Sequence, residues 1–339
     1  MTAMRSFYRY RDGALPNTLA IAYSFGGFAL GMAMLLTANP WLTVPGTLLL
    51  AHAMILSAYL LHDAAHGAVF RTAEANARLG AALAWINGSC YASFADLRRK
   101  HMRHHVDRAD VLTFDAKAFL LGLPRWVRRV VLALEWAYFP AVELIMHGYV
   151  IAMPFMREGK RSQRRRVATV LVARAALFVW LAWISLQAAV LYLVAWLVCL
   201  IVLRFADAYQ HTYDAFAVLE EGGAIPADKI RDHAYEQRNT YSNLVSVRYP
   251  ALNLLLLNFS YHNAHHDRPV EPWYRLPAAH ARLYGDDDSQ VIPMARLLTS
   301  FHRHRVKRIL ASDYGVMDIT KKQADDFYGA VGVSFLTAV

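Results

Sequence analysis

Nine of the fifteen histidines in this chain fall into four clusters. "HDAAH" sets His62 and His66 four apart, and "HMRHH" sets His101, His104 and His105 at i, i+3 and i+4. "QHT" supplies His211, and "HNAHH" repeats the second pattern with His262, His265 and His266. Residues three and four apart share a helix face, so each cluster can aim its ring nitrogens at one point. Adjacent histidines such as His104 and His105 diverge by about 100° and can reach two different ions. Nine neutral imidazoles gathered without a cation would be costly to desolvate and would repel one another once protonated. A single tetrahedral zinc takes about four ligands, so nine call for two ions of higher coordination. Imidazole suits iron, copper and zinc alike, and ligand type leaves that choice open.

The elements that must position these rings are hydrophobic. The chain has 339 residues, 56% of them apolar, and a positive mean hydropathy, which points to a membrane protein. A bilayer core of about 30 Å needs roughly 20 apolar residues in a helix. Segments of that kind run over about 19–36 and 41–61, and the block 167–204 divides at "SLQ" into 187–204 and 167–184. The first is too long for a signal peptide's core and lacks a small-x-small cleavage site. Basic residues flank one side only: Arg5, Arg9 and Arg11; Arg98, Arg99, Lys100 and Arg103; the run at 157–166; and Arg204. By the positive-inside rule, both termini and the long loops are cytoplasmic. All four histidine clusters, each following a hydrophobic segment, then gather on that face. The apolar stretches 79–95 and 130–156 would break the parity, and read as interfacial or re-entrant helices. Gly27 and Gly31 have small-x-x-x-small spacing, for which plain packing is sufficient.

The net charge of +10 is explained by this orientation, and no nucleic-acid motif accompanies it. Cys90 and Cys199 lie apart in hydrophobic stretches and read as packing residues, neither a disulfide framework nor a thiolate site. The expected fold is an all-α integral membrane protein, a single domain over 1–339. It has four transmembrane helices, interfacial helices and a cytoplasmic helical cap that holds a histidine-rich di-metal site.

These boxes, in this order, resemble the membrane fatty acid desaturase and hydroxylase superfamily, recognised by H-x(3,4)-H, H-x(2,3)-H-H and a final H/Q-x(2,3)-H-H. "RNTYSN" and "HHDRPVEPWYRLP" are also similar to stretches of that family, and the resemblance covers about 50–285. It implies two iron ions that use O₂ and two electrons to remove hydrogen from an unactivated alkyl chain. It further implies that His62, His66, His101, His104, His105, His211, His262, His265 and His266 are the ligands. Some relatives carry an asparagine one turn before the isolated histidine; here that position is Asp207, a possible further ligand. Asp63, Asp107 and Asp267 adjoin the boxes as outer-shell candidates. His52, His147, His233, His280, His302 and His304 lack the spacing.

Within that resemblance, desaturation of a fatty acyl chain is the favoured reaction. Oxidative decarboxylation of a free fatty acid to a terminal alkene, and hydroxylation or ketolation of a carotenoid or alkane, share the same ligands. The chain shows no heme segment, iron–sulfur cysteine set or dinucleotide fingerprint, so electrons come from an external donor such as ferredoxin and its reductase. The expected place is the bacterial inner membrane with the site on the cytoplasmic face. A zinc protease would show "HExxH", and a metal transporter would line its path with ionisable groups inside the spans, where only His52 is found.

Overall fold

The computed structural model describes residues 7–220, 222–311 and 314–338. Arg5, one of the orienting charges, lies outside them. In chain order the helices are α1 (Ala14–Leu35), α2 (Pro40–Ala65), α3 (Ala73–Asn87), α4 (Phe94–Asp107), α5 (Ala116–Gly122), α6 (Arg125–Trp136), α7 (Ala141–Met156), α8 (Arg164–Ile184), α9 (Leu186–Asp207), α10 (His233–Arg238), α11 (His262–Asp267), α12 (Leu276–Tyr284), α13 (Met294–His304) and α14 (Lys307–Leu310). Two short sheets accompany them. β1 (Asp110–Val111) pairs parallel with β2 (Ala215–Phe216), and β3 (Gly315–Asp318) pairs antiparallel with β4 (Gln323–Phe327).

The chain divides into two compact units. One comprises the described parts of Met1–Leu97, His147–Val202 and Leu336–Val339; the other comprises Arg98–Met146 and Leu203–Phe335.

The first unit carries the hydrophobic helices. Among the described residues four helices are long and apolar enough to cross a membrane, and they coincide with α1, α2, α8 and α9. Their boundaries follow from caps. Asn39 accepts from the Trp41 amide, with Pro40 starting α2, and Ser185, in the predicted break, accepts from the Ala188 amide to start α9. Helix α2 runs on through the first histidine box to Ala65, one turn past its expected end, because nothing in "LLHDAA" breaks a helix. Gly31 and Gly46 allow α1 and α2 to touch: a Cβ on Gly31 would lie 3.0 Å from Leu50 Cβ, and one on Gly46 would lie 2.6 Å from Met34 Cβ.

The stretch 79–95 comprises most of helix α3, the loop that follows it and the start of α4. Helix α3 ends at Gly88, which takes the left-handed conformation with φ of 89°. The carbonyls released there need partners. Arg174 of α8 donates to Trp85 O at 3.1 Å, Trp196 Nε1 of α9 donates to Asn87 O at 3.1 Å, and Arg166 donates to the carbonyls of Cys90 and Tyr91. Arg174 and Trp196 thus meet carbonyls at the end of α3, and Arg166 meets those of the loop that follows it.

Helices α6 and α7, whose junction lies in the second unit, are bent by 119° there, so the apolar stretch 130–156 is not one straight helix. Glu135 holds the break by accepting from the Val142 amide at 2.8 Å. Its other oxygen pairs with Arg204 at 2.5 Å, and Glu143 lies 3.7 Å from the same guanidinium. A core of Tyr209, Ile292, Leu297, Phe301 and Phe327 packs α13 against β4 and the segment after α9.

Candidate metal centre

Helix α4 presents its three histidines to two places. His101 and His105, one turn apart, bring their Nε2 atoms within 3.1 Å, while His104 turns away and reaches His211, Nε2 to Nε2, at 3.1 Å. Helix α11 does the converse. His265, the middle histidine of its box, joins His105 at 3.1 Å, and His262 reaches His211 at 2.8 Å. His266 belongs with His104, His211 and His262, the four having ligand atoms within 4.8 Å of one another. Each box therefore splits by helical phase, one turn-spaced pair to one group and the remaining histidine to the other.

The hydrogen-bond network decides which nitrogens carry hydrogen. His104 Nδ1 lies 2.9 Å from the Ala109 carbonyl, an obligate acceptor, so Nδ1 is protonated and Nε2 bare. Thr240 Oγ1 gives its hydrogen to Glu236 O at 2.7 Å and therefore accepts from His211 Nδ1 at 3.2 Å. His266 Nδ1 donates to Glu236 Oε1 at 3.0 Å, leaving a buried Nε2 without a hydrogen-bond partner. Three bare Nε2 lone pairs thus share one cluster. His104 and His211 face each other at 3.1 Å with no hydrogen between them. Such an arrangement is repulsive until a cation stands among the nitrogens.

Burial keeps these rings neutral. It lowers His104 to about 4, with the nearby Lys100 adding to the effect, and lowers His265 to about 3, with His104 contributing. His211 and His266 are held well below the ordinary imidazole value by burial and then by neighbouring imidazoles. Neutral imidazole is the form that binds metal.

A family model described as "Fatty acid desaturase" matches residues 39–297. The chain belongs to the fatty acid desaturase family. Four apolar helices and two histidine groups accord with that membership. The protein is an integral membrane oxidoreductase of a family that modifies fatty acyl chains. No curated protein matches the chain.

In this desaturase-family chain, His62 and His66 stand together within the first unit, ring centroids 4.8 Å apart and His62 fully buried. Asp207, one turn before His211, belongs to neither nitrogen group. It lines a cavity of about 40 Å³, with Lys100, Asp110, Gln210 and Phe259 among its neighbours. Lys100 Nζ donates to Thr113 Oγ1 at 2.8 Å and to the Ser334 carbonyl at 2.9 Å. Of the aspartates beside the boxes, Asp107 pairs with Arg103, and Asp267 lies 3.4 Å from His233 and 3.6 Å from Arg268. Asp63 lies 3.8 Å from His62, and Asp110, farther along the chain, lies 3.6 Å from His104.

The carboxylate that orients a box histidine is Glu236, which sequence reasoning did not single out. It also accepts from Arg108 Nε at 3.0 Å and contacts His233 Nδ1 at 3.2 Å. The "RNTYSN" stretch does have a structural task. Thr240 orients His211, and Asn263 Nδ2 donates to Thr240 O at 2.5 Å, tying α11 to that segment. Tyr213 stacks on His211 with centroids 4.2 Å apart. Among histidines outside the boxes, His52 contacts Tyr23 at 2.6 Å.

Proposed function

We propose that the nine box histidines hold two iron ions, and that the protein uses O₂ and two electrons to desaturate a fatty acyl chain. The observation that carries this is the convergence of bare, neutral Nε2 atoms from His104 of α4, His211 and His266 of α11. Their spacing supports higher coordination. Nitrogens about 2.1 Å from one ion lie about 3.0 Å apart at right angles and about 3.4 Å apart in a tetrahedron, and the contacts here are 2.8 and 3.1 Å. That supports ions of higher coordination than a tetrahedral structural site, and the choice of iron rests on the family. His62 and His66 complete the ligand set in this reading, with Asp207 as a possible addition.

When bound, such a pair of ions supplies the activation of O₂ needed to remove hydrogen from an unactivated alkyl chain. The balance is one saturated carbon pair, O₂, two electrons and two protons giving one alkene and two waters. The chain's own residues keep the ligands bare and fixed. Glu236 holds the Nδ1 hydrogen of His266, Thr240 that of His211, and the Ala109 carbonyl that of His104. Phe259 covers His262 at a centroid distance of 4.9 Å, and Phe335 lies 5.8 Å from His101. Both exclude water from the reacting zone. Electrons come from an external carrier such as ferredoxin and its reductase, attracted by the basic cytoplasmic segments. The site faces the cytoplasm of a bacterial inner membrane in this reading, since the arginine-rich segments flank that side of the spans.

Metal analysis and turnover test the proposal together. Purified protein is expected to hold about two iron atoms per chain, and to convert a saturated acyl substrate to a product two hydrogens lighter only with O₂ and reductant. His265→Ala lowers metal content and product in step. A fully active preparation free of iron refutes the assignment.

A further inference from the structure

Arg174 is a cation in the middle of a membrane-spanning helix. It stands ten residues from each end of α8 (Arg164–Ile184), which at 1.5 Å per residue is roughly 15 Å from either end. Arg174 donates to the Trp85 carbonyl and to the Tyr192 hydroxyl, each at 3.1 Å. Both partners are neutral. Among the described residues no carboxylate pairs with it, and its further neighbour Tyr91 is neutral too, so its charge is not compensated. A lone charge at that depth is costly and is generally met by a counter-ion.

Arg174 lines a cavity of about 500 Å³ within the first unit, between α1, α8 and α9 and beside Gly88 at the end of α3, with Tyr91 and, from α7, His147 and Ile151 also in its wall. The rest of the wall is largely hydrocarbon and aromatic, with Phe28, Met32, Leu171, Phe178, Leu181 and Trp196 prominent. The volume is that of an ordinary small-molecule site. One wall thus offers a guanidinium fork suited to a carboxylate, and the others offer a surface suited to an alkyl chain.

We propose that this cavity binds a long-chain carboxylate, its head on Arg174 and its tail against α1, α8 and α9. A neutral amphiphile would fill the apolar walls but leave the charge unmet. A phospholipid would have to bring its phosphodiester and glycerol to mid-membrane. The single-tailed acid satisfies both the charge and the depth. The inference goes beyond the metal centre and stands without it.

The test is photolabelling of the full-length protein in detergent with a diazirine-bearing fatty acid, followed by peptide mapping. Labels are expected on peptides covering Leu171–Leu181 and Tyr192–Trp196. Palmitate should compete about tenfold better than hexadecanol or hexadecane, the margin of one charge-assisted contact. Arg174→Lys retains the preference for acid over alcohol and Arg174→Gln loses it. Because Arg174 also supports α3, Ala175→Trp, which fills the cavity without touching that bond, provides a second variant; it should reduce labelling about tenfold, a steric exclusion. Equal competition by hexadecanol, competition by phosphatidylglycerol in place of palmitate, or labelling unchanged by Ala175→Trp overturns the proposal. The iron-depleted His265→Ala protein should label like the parent, so failure of this site and failure of the metal reading are scored separately.

Discussion

Glu236 Oε1 accepts the Nδ1 hydrogen of His266 at 3.0 Å, both side chains being buried. The carboxylate fixes the ring's tautomer and orientation and raises the basicity of Nε2.

Removing this carboxylate should weaken the metal centre without removing a ligand. Glu236→Ala is expected to lower metal affinity or activity by about 10–100-fold, and Glu236→Gln, which can still accept the hydrogen, by less. Iron content after challenge with a graded series of chelator concentrations is the measurement. Equal metal retention in Glu236→Ala and the parent would show that His266 needs no orienting partner.

The buried imidazoles make stability pH-dependent in the metal-stripped protein. His104 and His265 titrate at about 4 and about 3 in the folded chain, against about 6.5 when unfolded. Above that value both states are neutral and these groups add no slope. Below it the unfolded chain binds protons that the folded chain refuses, so stability falls with pH until the folded values are reached. Melting temperature should therefore drop between about pH 7 and about pH 4, each group adding at most about 1.4 kcal/mol per pH unit. A flat melting profile over that range would contradict the burial of these rings.

Arg204 and Glu135 form a buried pair, their side chains 8% and 1% exposed. Arg204→Met should destabilise the fold by about 3–5 kcal/mol, because it takes the nearest cation from buried Glu135 and its neighbour Glu143. Glu135→Gln added to Arg204→Met should recover part of that loss. Thermal unfolding in detergent reads both, and no recovery in the double variant would place the cost elsewhere.

Topology separates two counts of the spans. Four crossings put both termini in the cytoplasm; counting the bent pair α6 and α7 as a fifth puts them on opposite sides. Reporter fusions at each end are expected to score cytoplasmic, in line with the charge asymmetry. A signal from the opposite compartment at one terminus would exclude the four-span arrangement.

Local patterns in the chain were enough to locate the long hydrophobic helices, the break at Ser185 and the division of each tight histidine box between two directions. Hydropathy over a bilayer's width and the helical repeat act within a single segment and need no partner to be read. Tertiary structure decided the rest. The contact of Glu236 with His266 joins residues thirty apart, and the hold of Thr240 on His211 joins residues twenty-nine apart; neither has a periodicity linking its two ends. The same is true of α3, whose last carbonyls are met by Arg174 of α8 and Trp196 of α9. Nothing in the linear spacing of those residues announces that a carbonyl at a helix end needs them. Satisfying buried polar groups is a property of the assembled fold, and it is there that the bare nitrogens, the bent helix pair and the uncompensated arginine became visible.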